Sequence, residues 1–350
     1  MAEPFRIGVT RDFLTPDGKV SFGDIGLGLF DEAAAQGVSW QFLDGHAPEL
    51  APEHIAGYDA LLVMAPRISA ATLEGNTRLA VLARFGVGYD SVDVPACTAN
   101  GVALTITPDG VRRPVAVSAI TLLLALSHKL LIKDKLTREG RWAEKLAYNG
   151  QGVTGRTVGV VGLGNIGLEI CMLARPFEMR VLGYDPAPRM DDPRMEGVTL
   201  APLDALLAEA DYVIVCCALN AATHHLIDAA RLARLKPTAY LINVGRGPLV
   251  DEAALIETLR AGRIQGAGLD VFEQEPVDPA NPLLKMDNVI VNPHAICWTD
   301  ELFKGNGYSA CRSILEVAAG REPATVVNRE VLAGAAFQAK LKKRCATERD

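Results

Sequence analysis

Three polar residues of different chemistry, Arg246, Glu275 and His294, each follow a short apolar run within a stretch of about 50 residues. An imidazole beside a carboxylate makes a general acid/base: the carboxylate fixes the ring and stabilises the imidazolium, so a proton stays available near neutral pH. A guanidinium presents a planar fork that grips carboxylate and carbonyl oxygens together, which a lysine point charge does poorly. Singly, each has an ordinary alternative: Arg246 in a surface ion pair, Glu275 as a turn acid before Pro276, His294 as a strand-end cap. Their occurrence in order, with Asp270 between them, reverses that preference.

A second constellation lies upstream. The apolar run from Thr157 to Val161 leads into G-x-G-x-x-G, with glycines at Gly162, Gly164 and Gly167. After a strand, the first glycine permits a tight turn, the second lets backbone approach a pyrophosphate, and the third lets the next helix pack close. The start of that helix, at Asn165 and Ile166, turns free N–H groups toward the anion. Asp185 ends the next strand, 18 positions beyond Gly167. A carboxylate there accepts bonds from the ribose hydroxyls of NAD and repels the 2′-phosphate of NADP, so NAD is the expected cofactor. The alternative, glycines that merely shape a tight turn, is common for the motif alone, but here strand, helix and terminal acid are all in register.

These groups need strand ends to hold them, and the chain supplies two series of strands alternating with helical patterns, as parallel sheets with crossover helices do. The first series is 6–9, 40–43, 60–64, 81–85 and 102–106; the second is 157–161, 179–184, 212–216, 239–243, 266–270 and 289–291. In an open α/β sheet ligands sit outside the carboxyl ends of the strands, where the polar residues above fall. A long, largely buried helix is predicted over 114–133, opened by Pro114, and another over 301–319.

Composition agrees. With 350 residues, about two domains are expected. An apolar share of 49% and a charged share of 22% are ordinary for a globular protein. The net charge of -7 gives no general attraction to nucleic acid or anionic membrane. The basic run 340–344 reads as a solvated helix end. The cysteines, Cys97, Cys171, Cys216, Cys217, Cys297, Cys311 and Cys345, form no C-x-x-C pair and have no His at zinc-like spacing, so they read as reduced and mostly buried, and no metal is implied. No secretory pattern opens the chain, and the longest uncharged apolar stretch, 115–127, is short for a membrane span; a cytoplasmic protein is expected.

Together with the glycine fingerprint, the segments 86–93, 243–251, 268–276 and 292–299 and the Val326-Val327-Asn328 ending resemble the D-isomer-specific 2-hydroxyacid dehydrogenase family. The resemblance implies NAD-dependent hydride transfer on a small 2-hydroxy or 2-oxo acid, with His294 as acid/base, Glu275 as its partner and Arg246 on the anionic substrate. It implies that backbone amides at Val87 and Gly88 bind the substrate carboxylate opposite Arg246. It also implies that Asp270 bonds the nicotinamide carboxamide and that Val244 and Gly245 line that ring. Cys217, Ala218 and Thr223, in the loop after 212–216, are further cofactor candidates, with His224 and His225 assigned to the same loop. The implied architecture is α/β: two doubly wound parallel-sheet domains, a Rossmann NAD domain (107–299) inserted into a flavodoxin-like substrate domain (1–106 plus 300–350). Hinge closure over a cleft and a homodimer are implied as well.

Three departures stand out. Val115-Ala116-Val117 lacks the Glu many relatives carry. Arg112 and Arg113 stand where relatives often have Thr-Glu, and either contact an anionic group or form a solvated helix start. Ile296-Cys297-Trp298 replaces the usual small residues after the histidine, with Trp298 a candidate wall of the substrate pocket and Cys297 near the nicotinamide. Two rival functions remain at this stage: oxidation of another small anion, phosphite or formate, on the same scaffold, and a non-catalytic, corepressor-like NAD sensor.

Overall fold

The computed structural model describes residues 3–345, with side chains through Lys342, so Met1, Ala2, residues 346–350 and the side chains of Lys343, Arg344 and Cys345 lie outside the described residues. The chain forms two compact units, 1–111 with 298–350, and 112–297.

The first unit holds a five-stranded parallel sheet: β1 (Phe5–Val9), β2 (Val38–Phe42), β3 (Ala60–Val63), β4 (Val81–Arg84) and β5 (Ala103–Thr105), in the order β2-β1-β3-β4-β5. That is the flavodoxin-like order. Strand β3 is wholly apolar, and β4 is apolar up to Arg84 at its end, because both faces are covered, as a parallel sheet requires. The helix Asp300–Ala318 returns to this unit, capped by the Thr299 hydroxyl, which accepts the Leu302 N–H at 3.2 Å.

The second unit holds seven parallel strands: β6 (Thr157–Val161), β7 (Arg180–Tyr184), β8 (Val198–Leu200), β9 (Tyr212–Val215), β10 (Tyr240–Asn243), β11 (Gly266–Leu269) and β12 (Val289–Val291). Their order, β12-β11-β10-β9-β6-β7-β8, reverses between β6 and β9, which makes a topological switch point. Alternation splits the core: Val213, Val215 and Leu241 face one apolar cluster, while Tyr212, Ile214, Tyr240 and Ile242 face the other.

Several expectations need correction. The bridging helix begins at Pro108 rather than Pro114, with Pro114 inside it, and ends at Ser127; Lys129, at φ 52°, separates it from a second helix, Leu130–Arg138. Its 20 residues exceed the apolar stretch counted from sequence, and by length it passes as a membrane span. It is instead a core helix, carrying Arg112 and Arg113 and burying Ala116, Ala119, Leu122, Leu123 and Leu126. The edge strand β8 was not anticipated. The basic run 340–344 does end a helix, Ala335–Cys345, but a docked one: Phe337 and Leu341 are buried, and Lys340, far from being solvated, donates to the carbonyls of Leu79, Asn100 and Gly101 at 2.7, 2.7 and 3.1 Å.

Candidate active site

The glycine loop follows β6 at the switch point. Gly162 has φ 99°, and a Cβ there would stand 2.6 Å from the Cys217 Cα, so loop and β9 end are in contact. A Cβ on Gly167 would lie 1.9 Å from the Gly162 carbonyl oxygen, which fixes how closely the helix Asn165–Ala174 packs. At Gly164 a Cβ would meet nothing within 4 Å, leaving open space at the helix start. The Asp185 Oδ2 accepts the Leu163 N–H at 2.8 Å and its Oδ1 the Ala187 N–H at 2.9 Å, so the acid ties the ends of β6 and β7 together. A tight turn, an open helix N-terminus and an acid on the adjacent strand fit a dinucleotide.

Around this loop, Asn165 Oδ1 accepts from Arg189 at 2.8 Å, a contact not anticipated from sequence. The Thr223 hydroxyl donates to the Ala218 carbonyl at 2.8 Å and accepts the Asn220 N–H at 2.8 Å, which knots the loop after β9. His225 pairs with Glu273 at 2.6 Å, and the His224 ring lies 4.1 Å from that of His225.

The loops after β10, β11 and β12 form the other half of the same carboxyl edge. The buried Asn243 side chain accepts the Gly245 N–H at 3.1 Å and donates to the Arg246 carbonyl at 2.9 Å, which shapes the turn that presents Arg246. Gly247 then lies against the backbone of Phe272, where a Cβ would be 1.9 Å from its carbonyl carbon. The Glu275 Oε1 accepts the Phe272 N–H at 3.0 Å, and its Oε2 meets His294 Nδ1 at 2.7 Å. Burial pushes the Glu275 carboxyl up, but the bonds from His294 and Phe272 and the charge of Arg246 outweigh it and hold the group below its ordinary range.

His294 has φ 54°, a left-handed conformation that costs a non-glycine residue about 1–3 kcal/mol. Asp270 holds the chain there. Its Oδ1 accepts the N–H groups of Ala295 and Ile296 at 3.0 and 3.1 Å, and burial raises its pKa. The sequence suggested only a cofactor contact for Asp270; its grip on the histidine loop, like the part played by Asn243, depends on hydrogen bonds that no motif announces.

Arg112 and Arg113 do not form a solvated helix start. Arg113 Nη1 lies 3.0 Å, and Arg112 Nε 3.7 Å, from the carboxylate of buried Glu169. The remaining candidates belong to the first unit: Val87 and Gly88 follow β4, and Trp298 precedes the helix Asp300–Ala318. Among the described residues no acceptor takes the N–H of Val87 or Gly88.

Residues 120–295 match the family model for the NAD-binding domain of D-isomer-specific 2-hydroxyacid dehydrogenases. A glyoxylate reductase of Thermococcus onnurineus is 40% identical over 292 residues, 81% of this chain and 87% of the relative. Another, of Korarchaeum cryptofilum, is 38% identical over 286 residues, covering 80% and 86%. The solved glyoxylate reductase of Paecilomyes thermophila superposes with a TM-score of 0.78 at 26% identity, covering 93% of this chain and 99% of that one. The chain belongs to the D-isomer-specific 2-hydroxyacid dehydrogenase family, NAD-linked oxidoreductases of 2-hydroxy and 2-oxo acids.

Proposed function

We propose that His294 exchanges the proton, and Arg246 binds the anionic substrate, in NAD-dependent interconversion of a 2-oxo and a 2-hydroxy acid. The observation that carries this reading is the 2.7 Å contact between Glu275 Oε2 and His294 Nδ1. With Nδ1 engaged, Nε2 is the nitrogen left to donate to a carbonyl oxygen in reduction, or to take the hydroxyl proton in oxidation. The cofactor, when bound, would supply the hydride as NADH in reduction and accept it as NAD+ in oxidation.

Arg246 offers donors to the substrate's carboxylate and carbonyl oxygens, and its charge also favours the ionised form of Glu275. From the first unit, the open N–H groups of Val87 and Gly88 are donors of the kind a carboxylate takes. Asp270 Oδ1 holds the histidine loop, and its second oxygen is assigned to the carboxamide. Gly162, Gly164, Asn165, Ile166, Gly167 and Asp185 are assigned to the pyrophosphate and ribose, and Cys217, Ala218, Thr223, Val244 and Gly245 to the nicotinamide half. Unit 112–297 is then the NAD domain and the remainder the substrate domain.

Names of the relatives favour the reductive direction. Purified protein assayed for NADH oxidation against glyoxylate, hydroxypyruvate, pyruvate, oxaloacetate and aromatic 2-oxo acids tests the reading; inertness toward all of them overturns it.

A homodimer and a cytoplasmic location complete the proposal. Leu130, Leu131, Trp142 and Leu146 expose apolar surface in one stretch of the second unit, Trp142 at 65% and Leu146 at 78%, more than a lone surface hydrophobe explains. Sedimentation of wild type against Leu146→Asp checks the dimer. Free thiols at Cys216, Cys217 and Cys297, none fully buried, suit a reducing compartment.

A further inference from the structure

Five aromatic side chains of the first unit gather at the carboxyl edge of its sheet. Phe13 closes the turn after β1, and Phe22 follows a small antiparallel bridge in which Ser21 N–H donates to the Phe13 carbonyl at 2.8 Å. Phe85 follows β4, and Trp298 and Phe303 lie at the start of the helix Asp300–Ala318. The rings pack in a continuous cluster: Phe22 stacks on Phe303 at 4.2 Å and meets Trp298 edge-on at 5.4 Å, while Phe13 meets Phe85 at 5.0 Å. Phe13, Phe85 and Phe303 are buried, but Phe22 is only half-buried and Trp298 is 50% exposed.

The cluster therefore has a closed apolar base and an open aromatic lip. Phe85 immediately precedes the Gly86–Gly88 turn, so the buried base is continuous in sequence with the loop whose amides are assigned to the substrate carboxylate. Trp298 follows His294 by four residues, and chain reach alone keeps their Cα atoms within about 14 Å however the units are arranged. Half-covered aromatic rings in such a place gain by covering an apolar group, most favourably another ring in edge-to-face or offset contact.

We propose that Phe22 and Trp298 form the side-chain subsite of the substrate, and that this subsite selects 2-oxo acids with a large apolar, preferentially aromatic, side chain over glyoxylate, which has none. This rests on the reading of the site given above. Each turnover moves a hydride from NADH to the carbonyl carbon and a proton to its oxygen, leaving the 2-hydroxy acid and NAD+. Only the group beyond the carbonyl distinguishes the substrates.

The test is kcat/KM for phenylpyruvate, 2-oxoisocaproate and glyoxylate with NADH, in wild type, Trp298→Ala and Phe22→Leu. Trp298 is half exposed and Phe22→Leu keeps apolar bulk, so both variants are expected to fold, and the wild-type profile is informative without them. The proposal expects wild type to favour phenylpyruvate over glyoxylate by at least tenfold, and that ratio to fall at least tenfold in Trp298→Ala and severalfold in Phe22→Leu. Equal or better use of glyoxylate by wild type, or a ratio unmoved in both variants, overturns the subsite while leaving the dehydrogenase reading intact. Failure to turn over any 2-oxo acid overturns that reading, and the subsite with it.

Discussion

Glu275 touches His294 through one oxygen only: Oε2 meets Nδ1 at 2.7 Å while Oε1 is held by the Phe272 N–H. The carboxylate thus orients the ring from a backbone-anchored position. Glu275→Gln keeps the shape but removes the charge beside the ring, so reductase kcat is expected to fall about 10- to 100-fold. Steady-state kinetics of variant and wild type with the same 2-oxo acid check it.

The same contact sets the acid side. Because the folded-state pKa of Glu275 lies below its ordinary value of 4.5, the ionised pair contributes stability above that value and loses it as pH falls through the depressed one. Wild-type activity should therefore show no carboxylate-linked loss down to about pH 5. A loss centred between pH 5 and 6 that disappears in Glu275→Gln would contradict the assignment.

Asp185 bears on cofactor choice through charge. Asp185→Asn retains the acceptor oxygen facing Leu163 but removes the negative charge expected to repel a 2′-phosphate. The ratio of kcat/KM for NADPH to that for NADH should rise at least tenfold; an unchanged ratio places the discrimination elsewhere.

Glu169 is a buried acid between two half-exposed arginines, so the two sides of the cluster differ in the cost of removal. Arg113→Ala leaves a buried carboxylate under-paired and should cost about 1–3 kcal/mol, less than a fully buried pair because solvent reaches the guanidinium. Glu169→Leu, which removes the buried charge itself, should cost within about 1 kcal/mol. Urea unfolding of both variants tests the order.

Lys340 satisfies three carbonyls at once, those of Leu79, Asn100 and Gly101. Lys340→Met strands them and should cost about 1–3 kcal/mol, read as a lower urea midpoint. A midpoint equal to wild type would show that the C-terminal helix is held by Phe337 and Leu341 alone.

Much of this was legible in the sequence. Nearly all strands lie within two residues of the runs that foretold them, because buried parallel strands write unbroken apolar segments bounded by turns. Strand β8 was missed because Val198–Leu200 is three residues long and largely exposed at the sheet edge. The helix break at Lys129 carries no glycine or proline, so local signals could not announce it. The grip of Asp270 on Ala295 and Ile296, and the partnership of Arg113 with Glu169 across 56 positions, are products of tertiary packing rather than of any local pattern. The pairing of Phe337 with Leu341 at i,i+4 was a readable helix signal, obscured by the basic residues around it.

The most direct test removes the imidazole. NADH oxidation with a 2-oxo acid that wild type reduces should fall about 100- to 10,000-fold in kcat for His294→Ala, while NADH affinity, measured by fluorescence, stays within about twofold because the ring is not a cofactor anchor. A variant that keeps kcat within about threefold of wild type would contradict the assignment of the proton to His294.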